Sequence, residues 1–258
     1  MAPLPRITPK QHEIIQLLYR YRFLNRTQIQ QFLGHTDKRR IISWLKDLRD
    51  KQYLDWRYDP TNFIAKSQPA VYHLALNGVR LLRETGEYSA DELHKRYKEA
   101  GRTIAFADHC VLIGNCCLAL HAKSAGDLKY EWALPADYAE PGSKFCFIAE
   151  LKPHLYFTKE QGYARTSYAL ELIEPTLPRY QLRKRLQGYV NYLRYEWDEA
   201  NGPAPITLFV CSTTADLIYA KHQLRQILND DDSGTIIRLT TRDKLIEQGL
   251  TAMIWEEV

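Results

Sequence analysis

Between residues 9 and 85 the spacing of apolar residues passes from helical to alternating and back to helical, an order that few small folds can use. Thr8 before Pro9 marks a helix start, and Ile14, Leu17, Leu18 and Tyr21 then recur at helical spacing, which predicts a helix over 9–21. Asn25-Arg26-Thr27 opens a second helix of two turns through Ile29, Phe32 and Leu33, and Gly34 stops it. Thr36 is placed to cap a third helix ending near Lys51. Tyr53 to Tyr58 alternates as a strand does, Asp59-Pro60-Thr61-Asn62 breaks it, and a second strand is expected at Ala70 to Ala75. Asn77 is then the expected cap of a fourth helix through Val79, Leu81 and Leu82.

Three helices, a strand, a loop, a strand and a helix follow one another as in a winged helix-turn-helix, which is therefore expected over residues 1–85. The third helix gives that fold a function. Ile41, Leu45 and Leu48 form its apolar stripe, while Lys38, Arg39, Arg40, Ser43, Lys46 and Arg49 lie off it. A helix packed on one side and basic on the other fits a DNA major groove. Arg39 and Ser43 are spaced for base edges near its amino-terminal end, Lys46 is better placed for phosphate, and Thr36 precedes them. In the loop between the strands, Arg57, Tyr58, Lys66 and Gln68 are candidates to touch backbone or minor groove.

Charge is distributed accordingly. Residues 1–102 carry 19 Lys and Arg against 11 Asp and Glu, a net of +8, whereas residues 103–258 carry 16 against 20, a net of −4. A polyanion would bind the first part. Residues 86–102 are strongly charged, contain Gly86 and Gly101, and show weak helical patterning at Leu93 and Tyr97, as a connecting segment with one exposed helix would.

Residues 103–258 alternate between the two periods. A long apolar helix is expected over Thr103 to His121, strands near Tyr130 to Leu134, Ile148 to Phe157 and Ser167 to Ile173, and a basic helix over Leu177 to Tyr195. Strand, helix and strand follow at Ile206 to Cys211, Ala215 to Leu228 and Thr235 to Leu239. This pattern predicts an α/β domain with a mixed sheet, so the whole chain is expected to be α/β in two domains. Its 258 residues suffice for both without metal or disulfide support. The five cysteines contain no Cys-x-x-Cys and sit mostly in apolar periods, as buried thiols do. The start at Met1-Ala2-Pro3 lacks an apolar signal core, and the longest apolar stretch, Cys110 to Leu120, falls short of the roughly 20 residues that cross a bilayer, so a cytoplasmic protein is expected.

Chemistry in the second domain has fewer candidates. Glu150, Glu171 and Glu174 lie near strand ends, with His154 and Lys184 nearby, which outlines a metal-dependent phosphodiesterase using Mg or Mn. Such a site needs at least two carboxylates on one hard cation, and only Glu171 is convincing. His109 and His121 are better placed for packing. No phosphate loop, zinc helix or nucleophile elbow occurs.

Ile7-Thr8-Pro9-Lys10-Gln11, Tyr72-His73-Leu74-Ala75-Leu76-Asn77-Gly78, Pro153, Tyr168-Ala169-Leu170-Glu171-Leu172, and Lys184 with Tyr189 and Tyr192 together resemble the replication-relaxation family of bacterial mobile elements. That resemblance implies a winged helix joined to a restriction-endonuclease-like domain. The implied nuclease pattern would place an aspartate where this chain has His154, and a Glu-x-Lys where it has Glu171-Leu172-Ile173. Lys184 is the candidate to replace the missing lysine, and nothing replaces the aspartate, so the domain is expected to be degenerate and noncatalytic, with no cofactor. The expected function is a sequence-specific double-stranded DNA-binding regulator of transcription or replication on a plasmid or transposon. It is expected to act as a homodimer, with the second domain for dimerisation or partner contact. The alternatives are a nuclease or nickase using Glu171, Lys184, His154 and Glu150, and a protein-interaction adaptor.

Overall fold

The computed structural model describes residues 3–58, 61, 68–228 and 234–258. Contacts divide the chain into two units, one of residues 1–118 with 139–143 and the other of residues 119–138 with 144–258.

In the first unit, α1 (Pro9–Tyr21) starts at a capping box in which Thr8 and Gln11 satisfy each other's backbone N–H groups. The short strand β1 (Leu24–Asn25) leads directly into α2 (Arg26–Phe32), where Asn25 and Gln28 repeat the device. The third helix, α3 (Lys38–Asp50), is followed by β2 (Leu54–Arg57) and β3 (Val71–Leu74), and then by α4 (Leu76–Thr85). The strands make an antiparallel sheet in the order β1-β3-β2, with Leu24 opposite Tyr72 and Trp56 opposite the same residue from the other side. The two-residue β1 is too short to show alternation, which is why periodicity missed it.

Two capping expectations need correction. Asp37, one residue after Thr36, accepts from the backbone of Arg39 and Arg40, and as an anion it also suits the positive end of the helix. Asn77 lies inside α4, where its side chain donates to Lys51 O at 2.9 Å and its backbone N–H bonds Gln52 O, tying α4 to the turn before β2. Gly78 follows for a steric reason: a Cβ there would stand 2.4 Å from Tyr53 O, a backbone atom. Gly78→Ala is expected to destabilise the first unit by about 1–3 kcal/mol by overpacking, as a lower urea midpoint would show.

The charged stretch expected to connect two domains is instead packed structure. It forms α5 (Ala90–Arg96) and a single 3-10 turn (Glu99–Gly101), with Leu93, Arg96 and Glu99 buried. Its charges pair with one another: Arg22 grips Glu99 through two hydrogen bonds, at 2.7 and 3.1 Å, and Arg96 reaches Glu92 at 3.2 Å while donating to Tyr19 O. The boundary accordingly lies further on, within α6 (Ile104–Lys123). Gln28 of α2 donates to Val111 O and Asn115 Oδ1, both at 2.7 Å, and Phe23 packs with Ala107 and Cys110. At 20 residues α6 is long and apolar enough to cross a bilayer by length and composition, more than the Cys110–Leu120 run suggested, but half of that window is buried within the protein, as in a core helix.

The second unit contains β4 (Leu128–Ala133), α7 (Pro135–Ala139), β5 (Leu155–Gln161), β6 (Ala164–Leu172), α8 (Arg179–Asn191), β7 (Ile206–Cys211), α9 (Thr214–Leu228), β8 (Ile237–Thr241), α10 (Arg242–Gln248) and β9 (Glu256–Glu257). They build a six-stranded sheet in the order β4-β5-β6-β7-β8-β9. Its first three strands are antiparallel, β6-β7-β8 are parallel through the helices α8 and α9, and β9 returns antiparallel. The mixed α/β architecture expected from the alternating periods is therefore present. The strand expected from Ile148 begins later, at Leu155, because Cys146–Ile148 is a 3-10 turn.

One face of this sheet carries Ala133, Tyr156, Ala169, Phe209 and Leu239, and onto it pack Leu182, Leu186, Tyr189 and Val190 of α8 with Leu217, Ala220 and Leu224 of α9. Strand periodicity puts Glu171 on this same face, two residues after Ala169. Four thiols, Cys110, Cys116, Cys117 and Cys211, are buried, and burial pushes Cys110, Cys116 and Cys211 up to about 12. Cys146 departs from the expected pattern and is exposed. A disulfide-exchange reagent should therefore titrate one thiol in the native protein and all five in denaturant; two or more fast native thiols would contradict this burial.

Candidate nucleic-acid interface

The buried stripe of α3 is Ile41, Leu45 and Leu48, as its spacing predicts. With this stripe inside, the 100° step of a helix places Arg39, Ser43 and Lys46 on the opposite side, and all three are exposed. Thr36, Lys38 and Arg40 are exposed beside them at the amino-terminal end. Ile42 adds an apolar group at 46% exposure, and Asp50 closes the face at its carboxyl-terminal end. Cations, a hydroxyl and an apolar group on one exposed helix face have the means to contact phosphate, base-edge acceptors and a thymine methyl.

Trp44 bridges this face to its surroundings, with the Arg40 guanidinium 5.9 Å from its ring and His35 edge-on at 5.1 Å. At the other end of α3, Asp47 accepts from Gln11 at 2.6 Å and from Lys51 at 2.8 Å. These bonds, the Lys51 bond foremost, hold its carboxyl below the usual carboxylate range. Asp47 is thereby neutralised locally.

The candidates around the strand pair separate. Tyr58 is exposed at 37% and Gln68 is exposed, while Lys66 lies outside the described residues. Arg57 turns inward: its Nη2 donates to the carbonyls of Glu99, Ala100 and Arg102, and its guanidinium lies 5.2 Å from the Phe23 ring. A guanidinium engaged with three carbonyls ties β2 to the turn after α5, so Arg57 is a structural residue and not part of the exposed face. Spacing could not show this, because the carbonyls come from a segment more than 40 residues away.

In the second unit, Glu171 sits on the core face of β6 at 5% exposure, opposite Phe209 of β7. A carboxylate there requires neutralisation. Arg185 provides it through Nε at 2.8 Å and Nη2 at 3.2 Å, and the Tyr189 hydroxyl donates to Glu171 Oε2 at 2.8 Å. Burial works against the Arg185 charge, but the Glu171 hydrogen bond and charge outweigh it and hold its pKa above the usual arginine value. Burial, with the Glu171 charge behind it, puts Tyr189 well above the usual phenol range, so it remains a donor.

The basic partner of Glu171 is thus Arg185 and not Lys184, which points one position around α8. His154 Nδ1 lies 3.2 Å from Glu171 Oε2 and accepts from Leu172 N at 3.1 Å. His154, Glu171, Lys184 and Arg185 line one cleft of about 640 Å³, together with Tyr180 and Glu174. Glu150 is exposed and does not line it. Among the described residues no three His, Cys, Asp or Glu side chains gather as a cation site, and the one buried carboxylate of the cleft already has an arginine as counter-ion. That donor set does not fit a hard divalent cation, which needs several oxygens of negative character.

The family profile described as "Replication-relaxation" matches residues 15–206, well over half of the chain. The chain belongs to the replication-relaxation family. The match runs through both the α3 face and the Glu171 cleft of this replication-relaxation protein. A search of curated proteins gives no match. Among solved structures, the restriction endonuclease FokI aligns at 12% identity with a TM-score of 0.31. That alignment covers 92% of this chain and 42% of the FokI chain, so this replication-relaxation protein spans less than half the length of that neighbour.

Proposed function

We propose that this protein binds double-stranded DNA in a sequence-specific manner through α3 and regulates replication or transcription on a bacterial plasmid or transposon, acting in the cytoplasm. The observation that carries the proposal is the exposed Arg39, Ser43 and Lys46 face, directly opposite the buried Ile41, Leu45 and Leu48 stripe. The order of helices and strands around it, α1-β1-α2-α3-β2-β3-α4, supports the winged-helix reading, and the family is associated by its description with replication. The net charge of +8 over residues 1–102 adds long-range attraction to a polyanion.

We assign the second unit a noncatalytic role in dimerisation or partner contact on a nuclease-like scaffold. The support is chemical: Arg185 occupies the Glu171 carboxylate where a cation would need it free. A dimer would present two α3 helices to a two-part site and gain discrimination that one such helix lacks.

The test is a mobility-shift assay on duplex DNA from the protein's own upstream region, over a salt series with magnesium present. The wild-type protein should shift intact DNA with an affinity that falls steeply as salt rises. Arg39→Ala should weaken specific binding by about 10- to 100-fold, the value of a good base-edge pair. Absence of any shift would favour the adaptor reading, and cleavage of the DNA would favour a nuclease.

A further inference from the structure

The helix that carries the Arg39 face ends against β2, and the contact between them is a cation on an aromatic ring. Arg49 follows Lys46 by three residues, so the two side chains are neighbours along α3. The guanidinium carbon of Arg49 lies 3.5 Å from the centroid of the Trp56 ring. So short a distance is reached only by lying over the ring face. Trp56 in turn leans on Tyr58 at 5.4 Å and on Tyr72 at 6.0 Å. At 36% and 37% exposure, Trp56 and Tyr58 form an open ledge and not a core.

Packing alone accounts for the arginine stem but not for its charged head. Of the two acids beside it in α3, Asp47 is taken by Gln11 and Lys51 and the adjacent Asp50 is exposed, and no ion pair among the described residues uses Arg49. A guanidinium laid on a ring keeps its N–H groups in the plane parallel to that ring, with their edge open to a planar or tetrahedral oxyanion. Holding it there removes in advance part of the side-chain entropy that a contact would cost.

We propose that Trp56 is a positioning residue for DNA binding, holding Arg49 at the end of α3 so that its open edge meets a backbone phosphate flanking the bases read by Arg39 and Ser43. This rests on the DNA-binding role above and adds the residue that orients a phosphate contact.

The experiment is equilibrium binding of the full-length protein to the same duplex over a salt series, with Arg49→Ala, Trp56→Ala, Trp56→Phe and the Arg49→Ala/Trp56→Ala double variant, each checked by thermal melting. Arg49→Ala should lower the log-affinity against log-salt slope by about one, the signature of one lost phosphate contact. Trp56→Ala should weaken binding about fivefold, and Trp56→Phe, which keeps a ring face, should restore most of it. In the Arg49→Ala background, Trp56→Ala should weaken binding no further, because its effect passes through Arg49. Full additivity of the two losses, or an unchanged salt slope in Arg49→Ala, would overturn the proposal while wild-type binding and the Arg39→Ala defect remain. Failure of the wild-type protein to bind DNA would overturn the DNA-binding role itself, and this assignment with it.

Discussion

Glu99→Ala is expected to destabilise the first unit by about 3–5 kcal/mol, the usual cost of removing one partner from a buried ion-pair group. Glu99 is fully buried, and its two oxygens receive Arg22 at 2.7 and 3.1 Å, with Arg96 and Arg102 also nearby at 3.7 and 3.9 Å. Arg22, Arg96 and Arg102 would remain with Glu92, which pairs with Arg96 at 3.2 Å, as the acid left beside them, and Arg96 is at 1% side-chain exposure. Burial already holds Arg96 below the usual arginine range, with the Arg22 charge acting in the same direction, so losing one of its two neighbouring anions falls on a charge that burial already disfavours. Thermal or urea unfolding should show the first unit melting roughly 10 °C or more lower. A melting transition within a degree or two of wild type would show that water reaches the cluster. DNA binding measured well below that transition should be preserved, because none of these groups lies on the exposed face of α3.

Glu171→Ala tests the second unit in two respects. Structurally, it strips Arg185 and Tyr189 of their shared acceptor, and a cost of about 2–4 kcal/mol is expected. The cost should be smaller than at Glu99 because the Arg185 side chain is 37% exposed and can be rehydrated, whereas Tyr189 is buried and cannot. Functionally, the variant should shift the upstream duplex as the wild type does and leave plasmid DNA intact in magnesium, as a noncatalytic carboxylate requires. Magnesium-dependent nicking by the wild type that vanishes in Glu171→Ala, at a temperature where the variant remains folded, would instead make Glu171 a catalytic residue and assign the cleft to a nuclease.

Much of the fold was legible where a pattern runs over two turns or more. The α1 range, the α3 stripe, and β7 were placed by local signals, spacing with a Thr-Pro start in α1 and spacing in the others, since each needs only neighbouring residues to bury one face. Short elements carried no such signal: β1 has two residues, α7 five, and β9 two. The charged segment 86–102 was misread for a different reason. Its Arg and Glu residues suggest a solvated surface, and only their mutual pairing, the carbonyl acceptor of Tyr19 and the guanidinium donors of Arg22 make burial affordable.

The candidate interface divides in the same way. Arg39, Ser43 and Lys46 were visible because the opposite stripe fixes which face of α3 is free. Arg57 looked equally basic, yet it bonds carbonyls in a turn that sequence spacing cannot bring near it. In the cleft, Lys184 and Arg185 are adjacent in sequence, and only the orientation of α8 on the sheet decides which one meets Glu171.

By itself the sequence determined the order of the longer helices and strands, the basic bias of the first part, and the free face of α3, because helical and strand periods and residue charges are local properties. The tertiary structure alone decided the partners: Arg185 for Glu171, Arg22 and Arg96 for Glu99, Trp56 for Arg49. Pairing of buried charges and stacking on rings depend on distances between segments far apart along the chain, and those are set by how the helices pack against each sheet.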